Sequence, residues 1–267
     1  MGSKRNRHSS VANGRRRTVL APVLLGLALL AGWSATVVLS GWPEMILPPP
    51  SAVLQRLADD LAGSALWSYL AVTLLESLGG CLIGMLLAIP LAVAIHESAW
   101  FSAAASPFLG ATQAIPAIAL APLLVLWVGY GLTPVMMLCA LIVFFPILVS
   151  SLVGLRHVDP EVLDAARVDG AGRWAQLFWV EAPLALPSSL AGLRNGFTLS
   201  ITGAVVGEMV MGGNGLGQML TVQRDAVDTT GLFSTIIVLC AAASLVYTAL
   251  RAVERRSSLV GSQLRDP

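Results

Sequence analysis

Residues 164–183 read DAARVDGAGRWAQLFWVEAP and form a polar, glycine-containing island in a sequence that is otherwise mostly apolar. Just before this island, Asp159 can accept the free amide hydrogens of a first helical turn, and Pro160 suits the first helical position. The pair Asp169-Gly170 supplies a residue that can end the helix in the left-handed conformation. The island therefore predicts two short helices joined by a bend. Three large apolar residues share one face of the second helix: Trp174, Leu177 and Phe178.

The composition is that of a membrane protein. Hydrophobic residues make up 56% of the 267 residues and charged residues only 12%, against about 25% charged residues in soluble domains. We predict an all-α, polytopic membrane protein with about six transmembrane helices, because a bilayer is crossed by about 20 apolar residues. The apolar runs of this length fall near 18–40, 66–95, 107–128, 133–155, 183–206 and 230–250.

The basic residues are distributed unequally between the two predicted sides of the membrane. Thirteen of them lie in the N-terminal segment, in the loop 156–182 and near the C-terminus, whereas only Arg56 and Arg224 fall on the opposite side. The positive-inside rule therefore places both termini and the island in the cytosol. We predict three regions along the chain: a disordered basic cytosolic tail over 1–17, a transmembrane domain over 18–255, and a cytosolic C-terminal tail over 256–267.

The absence of a phosphate-binding motif excludes one kind of ATP hydrolysis by this chain. Lys4 is the only lysine in the sequence, so the chain has no phosphate-binding loop of the G-x-x-x-x-G-K-[ST] type and cannot hydrolyse ATP by that route. The three cysteines show no metal-ligand or pairing pattern, and we expect neither a metal nor another cofactor. An intramembrane hydrolase would need a nucleophile and a base within the bilayer, and the sequence shows no such pair.

The island is similar to the EAA loop of permease subunits in binding-protein-dependent ABC importers of type I, whose pattern is Glu-Ala-Ala-x3-Gly-x9-Ile-x-Leu-Pro. The spacing is intact, and the chain departs from the pattern at Asp164, Val180 and Ala182, where the replacements are chemically close. The resemblance implies a cytosolic coupling-helix loop over 156–182, between spans four and five. It implies that the ATPase-coupling residues are Asp164, Ala165, Ala166, Asp169, Gly170 and Pro183.

The resemblance also implies the partners. The importer would contain two permease chains, expected to be identical, two separate cytosolic ABC ATPases and an external solute-binding protein, in the lipid bilayer of the bacterial plasma membrane. This chain would be the transport subunit and not an enzyme, and no nucleic-acid partner is expected. The alternative class is an ion-coupled secondary transporter, which internal inverted repetition would indicate.

The third predicted span contains two prolines, Pro116 and Pro122. Each proline kinks a helix, which is tolerated in a membrane where protein or a water-filled cavity satisfies the freed carbonyl groups. The run from Gln113 to Gly131 resembles a signature of permeases for aliphatic sulfonates, taurine, nitrate and the pyrimidine precursor of thiamine. A second segment, beginning at Glu208, is similar to the Glu-x6-Gly-Leu-Gly segment of the same subfamily. We expect the translocation path to include Gln113, Pro116, Pro122 and Glu208.

Two charged residues fall inside predicted spans. Glu76 lies about ten residues into the second span and Arg194 about eleven residues into the fifth, so a rise of 1.5 Å per residue brings both near the centre of the bilayer. An isolated charge at that depth costs about 2.5–3.5 kcal/mol. We therefore predict that Glu76 and Arg194 lie close together and face the translocation path.

Glutamate at position 76 also bears on the solute. Many sulfonate and nitrate permeases of the resembled subfamily carry arginine at this position, and glutamate is more like the thiamine-pyrimidine branch. A path whose central cation is neutralised by a carboxylate is poorly suited to concentrating anions. The interpretation is import of a small polar solute, with a thiamine-pyrimidine-precursor-like heterocycle as the best candidate and aliphatic sulfonate, taurine or nitrate as the alternative.

Overall fold

The computed structural model describes residues 7–111 and 116–263, and within these ranges every regular element is helical. This confirms the predicted all-α class. A 3₁₀ turn precedes α5 at Ala117–Leu120, and a π-helix joins α8 to α9 at Leu177–Glu181. The α-helices are α1 (Arg7–Ser40), α2 (Pro50–Ala62), α3 (Ala65–Glu97), α4 (Ala99–Ala111), α5 (Ala121–Val128), α6 (Leu132–Arg156), α7 (Pro160–Val168), α8 (Arg173–Gln176), α9 (Ala182–Met211), α10 (Leu216–Asp225) and α11 (Thr229–Gln263).

Several helices are long and apolar enough to cross a membrane. In the described residues there are four, namely the Val23–Ser40 part of α1, α3, α6 and the Thr229–Ala252 part of α11. A fifth span results if Arg173–Met211 and α10, which are bent by 49° at a short break, are taken together. The described residues therefore contain four or five candidate spans by length and composition, and the sequence predicted about six. The helix α1 also includes residues 7–17 of the predicted basic tail.

The third predicted span, 107–128, is not among the candidate spans, and its residues 112–115 lie outside the described residues. Among the described residues it is not one helix, because α4 ends at Ala111 and the chain resumes with Pro116 in an extended conformation. Pro122 then lies in the first turn of α5, where its missing N–H leaves no helical hydrogen bond unmade. The two prolines thus begin a short helix where the sequence predicted kinks within a long one.

The chain divides into two compact units. The first runs to Ala62 and also contains Gln223–Ser234, whereas the second contains Gly63–Val222 and the chain from Thr235 onward. In the first unit, Arg56 on α2 forms ion pairs of 3.0 Å with Asp60 and 3.0 Å with Asp228. The hydrogen bond to Asp60 raises the pKa of the Arg56 side chain, so this residue stays charged and holds α2 to the segment before α11.

The second unit is built on close packing of α3, α6 and α9. A Cβ atom at Gly84 of α3 would lie 3.0 Å from the carbonyl oxygen of Ala140 on α6, and one at Gly192 of α9 would lie 2.5 Å from the Cβ of Ser150. Glycine at these positions lets the helix backbones approach each other. Apolar side chains fill the space between the three helices, among them Ala88, Val143, Ile147, Phe197 and Ile201.

Candidate functional site

The loop that resembles the EAA motif begins as the sequence predicted. The side chain of Asp159 accepts a hydrogen bond of 3.0 Å from the backbone N–H of Glu161, and α7 starts at Pro160. Gly170 has a φ of +87°, in the left-handed region, and its N–H donates to the carbonyl oxygen of Arg167 at 3.0 Å. A side chain would meet nothing within 4 Å at this glycine. Its requirement for glycine is therefore conformational and not steric.

The predicted coupling residues occupy an accessible surface. On α7, Asp164 and Ala165 are exposed and Ala166 is half-buried. Asp164 pairs with Arg167 one turn away, at 2.8 Å. Asp169 and Gly170 are exposed at the bend that follows, and Pro183 is exposed in the first turn of α9. All six residues are available to a partner, although Pro183 belongs to a transmembrane helix and not to the bend.

The second short helix of the loop differs from the prediction. Helical backbone continues from Arg173 through the π-helix into α9, so this helix is the beginning of the fifth span. The predicted shared face is also wrong: Trp174 and Phe178 stack with ring centroids 6.0 Å apart and are 66% and 63% exposed, whereas Leu177 is buried. A π-helix changes the angular spacing of side chains, which turns Leu177 inward and leaves Trp179 83% exposed.

Two side-chain contacts hold this loop to the end of α3, and a third joins two parts of the loop. Arg173 binds the carboxylate of Glu97 at the end of α3 and also donates to its carbonyl oxygen at 2.7 Å. His96 Nε2 lies 2.5 Å from Glu181 Oε2, at the end of the π-helix. The Gln176 amide donates to the carbonyl oxygen of Leu163 in α7 at 2.6 Å. The two contacts with α3 join residues that are 76 and 85 positions apart, so no local sequence pattern indicates them.

The cluster at the end of α3 has the donor types of a metal site. One ligand atom from each of His96, Glu97 and Glu181 can be chosen so that all lie within 4.8 Å of one another. Arg173, however, already places its guanidinium on Glu97. A divalent cation would have to compete with this fixed positive charge, so we interpret the cluster as a structural ion-pair network.

Glu208 fixes the start of α10. It is completely buried, and its Oε1 accepts a hydrogen bond of 2.7 Å from the hydroxyl of Thr73 on α3. Its Oε2 accepts one of 2.5 Å from the backbone N–H of Gly217. Thr73 in turn accepts a 2.8 Å hydrogen bond from the N–H of Leu216. Two of the free amide groups at the N-terminus of α10 are satisfied in this way.

This arrangement explains the Glu-x6-Gly-Leu-Gly spacing. A Cβ atom at Gly215 would overlap the carboxyl group of Glu208, and one at Gly217 would overlap the carbonyl oxygen of Val205 and lie 2.9 Å from the Glu208 Cβ. Only glycine lets this backbone approach the glutamate. The segment is therefore a packing motif of the second unit in addition to its predicted role on the translocation path.

The structure does not bring Glu76 and Arg194 together. Among the described residues no ion pair links Glu76 to Arg194. The guanidinium of Arg194 lies 5.3 Å from the centre of the Tyr247 ring, and neither Glu76 carboxyl oxygen has a hydrogen-bond partner. The expected depth of both residues in the bilayer stays a prediction, and the ion pair that it implied did not form.

The remaining residues predicted for the translocation path are dispersed. Pro116 and Pro122 are exposed, Glu76 and Glu208 are buried inside the second unit, and Arg194 is half-buried. Gln113 lies outside the described residues. The assignment of these residues to the path remains a prediction.

The fold and the loop define a multi-pass transport protein of the membrane. A family model described as the binding-protein-dependent transport system inner membrane component matches residues 80–258, and the chain belongs to this family. It is therefore the permease subunit of an ABC importer, as the loop resemblance predicted.

Similar proteins differ in the solutes that their names give. The riboflavin transport system permease RibX of Chloroflexus aurantiacus is 41% identical over 234 residues, covering 88% of this chain and 87% of that protein. The formylaminopyrimidine permease ThiX of Halalkalibacterium halodurans is 31% identical over 240 residues, 90% and 95% of the two chains. The taurine permease TauC of Escherichia coli is 31% identical over 234 residues, 85% of each.

A solved structure has the same fold. The inward-facing MetNI methionine ABC transporter matches with a TM-score of 0.66 and 19% identity, over 72% of this chain and 95% of that one.

Proposed function

We propose that this permease carries a neutral nitrogen heterocycle, related to riboflavin or to the pyrimidine precursor of thiamine, which an external binding protein delivers. The observation that carries the proposal is the 41% identity to a riboflavin permease over 88% of the chain. A formylaminopyrimidine permease aligns over 90% of it. Both named solutes are nitrogen heterocycles, in agreement with the solute class favoured by glutamate at position 76.

The charges inside the membrane support an uncharged solute. Arg194 is the only basic residue in the six predicted spans, and the carboxyl group of Glu208 is completely buried in the second unit. A carboxylate in a medium of low dielectric constant repels an approaching anion more strongly than it does in water. The alternative solute is taurine or another sulfonate, which the 31% identity to a taurine permease favours.

Competition for uptake distinguishes these solutes. Proteoliposomes would contain the full chain with its ATPase and its binding protein. Uptake of labelled riboflavin, and separately of labelled taurine, would be measured with excess unlabelled riboflavin, formylaminopyrimidine or taurine. We expect the two heterocycles to compete and taurine to have no effect. Uptake of taurine that the heterocycles do not reduce would contradict the proposal and favour the alternative.

The exposed loop is the proposed docking surface for a separate ATPase. We define the coupling surface as Asp164, Ala165, Ala166, Asp169, Gly170, Trp174, Phe178 and Trp179. It combines small side chains on α7, which permit close backbone approach, with three exposed aromatic rings. Large exposed apolar side chains of this kind are typical of protein interfaces. A separate ATPase is needed because the chain has no phosphate-binding loop.

The contacts behind the coupling surface suggest how motion passes to the spans. Arg173 is anchored to the end of α3 through Glu97, and Glu181 is anchored there through His96. Because the chain is helical from Arg173 into α9, a displacement of the loop acts on α3 and α9 together. The proposed coupling is therefore a rigid movement of packed helices.

The assembly and orientation complete the proposal. Two identical copies of this permease would form the translocation path, with the coupling surface and both termini in the cytosol. The distribution of arginine and lysine supports this orientation.

A further inference from the structure

Glu76 and Glu208 bring two carboxyl groups into the contact between α3 and α9. Their exposed fractions are 1% and 0%, and Glu208 accepts a hydrogen bond of 2.7 Å from Thr73, which lies one turn before Glu76 on α3. Two negative charges in a membrane interior repel each other strongly, because the low dielectric constant does little to screen them. Two carboxyl groups buried at the same helix contact therefore hold one proton more readily than they hold two charges.

The hydrogen bonds of the two residues are unequal. Glu208 accepts from the hydroxyl of Thr73 at 2.7 Å and from the N–H of Gly217 at 2.5 Å. Hydrogen bonds donated to a carboxylate favour its ionised form. Glu76 receives none, since both of its oxygens are buried without a hydrogen-bond partner. An ionised Glu76 would thus be a buried charge with neither a donor nor a counter-ion.

Among the residues that the structure describes, no positively charged group forms a salt bridge with Glu76 or Glu208. The thiol of Cys139 on α6 is close enough to both carboxyl groups to interact with them electrostatically. The start of α10 contributes backbone amides, and these bind Glu208 and Thr73. A proton on Glu76 is the simplest way to remove the uncompensated charge.

We propose that Glu76 and Glu208 form a carboxyl pair that holds one proton, with Glu76 as the neutral acid and Glu208 as the ionised acceptor. The O–H of Glu76 is then available to the Glu208 carboxylate, whose remaining acceptor sites bind Thr73 and Gly217. The protonated pair fastens α3 to α9 and, through Glu208, to the first turn of α10. This inference goes beyond the transport function and is independent of the solute.

Infrared spectroscopy of the full chain, purified in detergent at neutral pH, tests the proton directly. A protonated carboxylic acid has a carbonyl stretch well separated from that of a carboxylate, and the band shifts in D₂O. We expect the wild type to show this band, Glu76→Gln to lose it, and Glu208→Gln to retain it at a shifted frequency. The control is Glu161→Gln on the exposed first turn of α7, which should leave the band unchanged.

The outcomes that overturn the proposal are distinct. If the band is absent from the wild type, or persists in Glu76→Gln, Glu76 is not the protonated group. If Glu208→Gln removes the acid band and Glu76→Gln does not, the proton is held by Glu208 and not by Glu76. A cation held by two ionised carboxylates would also give no acid band.

Stability provides a second measurement. Glu76→Gln replaces a neutral acid by a neutral amide of similar shape, so its unfolding temperature should stay within about 2 °C of the wild type. Glu208→Gln should lower it by about 5 °C, since an acceptor of two hydrogen bonds is weakened. Failure of Glu76→Gln to insert and fold would contradict the proposal, because only an ionised Glu76 makes that substitution costly.

Discussion

The contact of Gly215 with Glu208 gives a sharp prediction for Gly215→Ala. The added methyl group would overlap the Glu208 carboxyl group, so Glu208 must move away from the hydroxyl of Thr73 or from the N–H of Gly217. Overpacking costs about 1–3 kcal/mol, and a lost hydrogen bond to a charged group costs about 1.5–3 kcal/mol. Taking values near the lower end of both ranges, we expect Gly215→Ala to destabilise the protein by about 3 kcal/mol.

Gly213→Ala is the matched control. A Cβ atom at Gly213 would lie 3.4 Å from the Cγ of the same Glu208 side chain, which is close to an ordinary van der Waals contact. The two variants therefore add the same methyl group beside the same residue, two positions apart, and only one of them displaces the carboxyl group.

The assay is thermal unfolding of the full chain in detergent. A loss of about 3 kcal/mol corresponds to a fall of about 6–12 °C in the unfolding temperature of a protein of this size. We expect this fall for Gly215→Ala and a change below about 2 °C for Gly213→Ala. Equal unfolding temperatures for the two variants would refute the role assigned to Glu208 in holding the start of α10.

Three further predictions concern the coupling loop and the topology. Gly170→Val should insert normally but hydrolyse ATP without uptake, because a side chain in the left-handed region costs about 1–2 kcal/mol and shifts the coupling surface; normal uptake per ATP would contradict this. Arg173→Glu should reduce uptake, and adding Glu97→Arg should restore part of it, whereas independent losses would argue against the anchor. A cysteine replacing Ser262 should be shielded from an impermeant thiol reagent in intact cells, and one replacing Asn214 should react; the reverse labelling would overturn the orientation.

The local features of the coupling loop were predictable because their determinants are adjacent in the sequence. Asp159 before Pro160 predicted the start of α7, and the structure confirms it with the hydrogen bond to Glu161. Gly170 was predicted to adopt the left-handed conformation, and its φ of +87° confirms this. Both depend on backbone propensities that act over a few residues.

The features that the sequence analysis missed depend on packing. The π-helix turns Leu177 away from Trp174 and Phe178. The spacing of apolar residues in the sequence does not predict a π-helix. Counting residues from the ends of apolar runs suggested a shared depth for Glu76 and Arg194 but could not give the face of each helix, and the predicted pair did not form. The contacts of His96 with Glu181 and of Arg173 with Glu97 span 85 and 76 residues. Long-range pairs of this kind become visible only when the helices are assembled.

The central claim, that this chain is the permease subunit of an ATP-driven importer, is tested most directly by the energy source of transport. Riboflavin uptake would be measured in proteoliposomes that contain the full chain together with its ATPase partner and its binding protein. We predict that uptake requires ATP and both partners, and that it persists when ion gradients are collapsed with ionophores. Uptake by the chain alone, driven by an ion gradient and indifferent to ATP, would contradict the account.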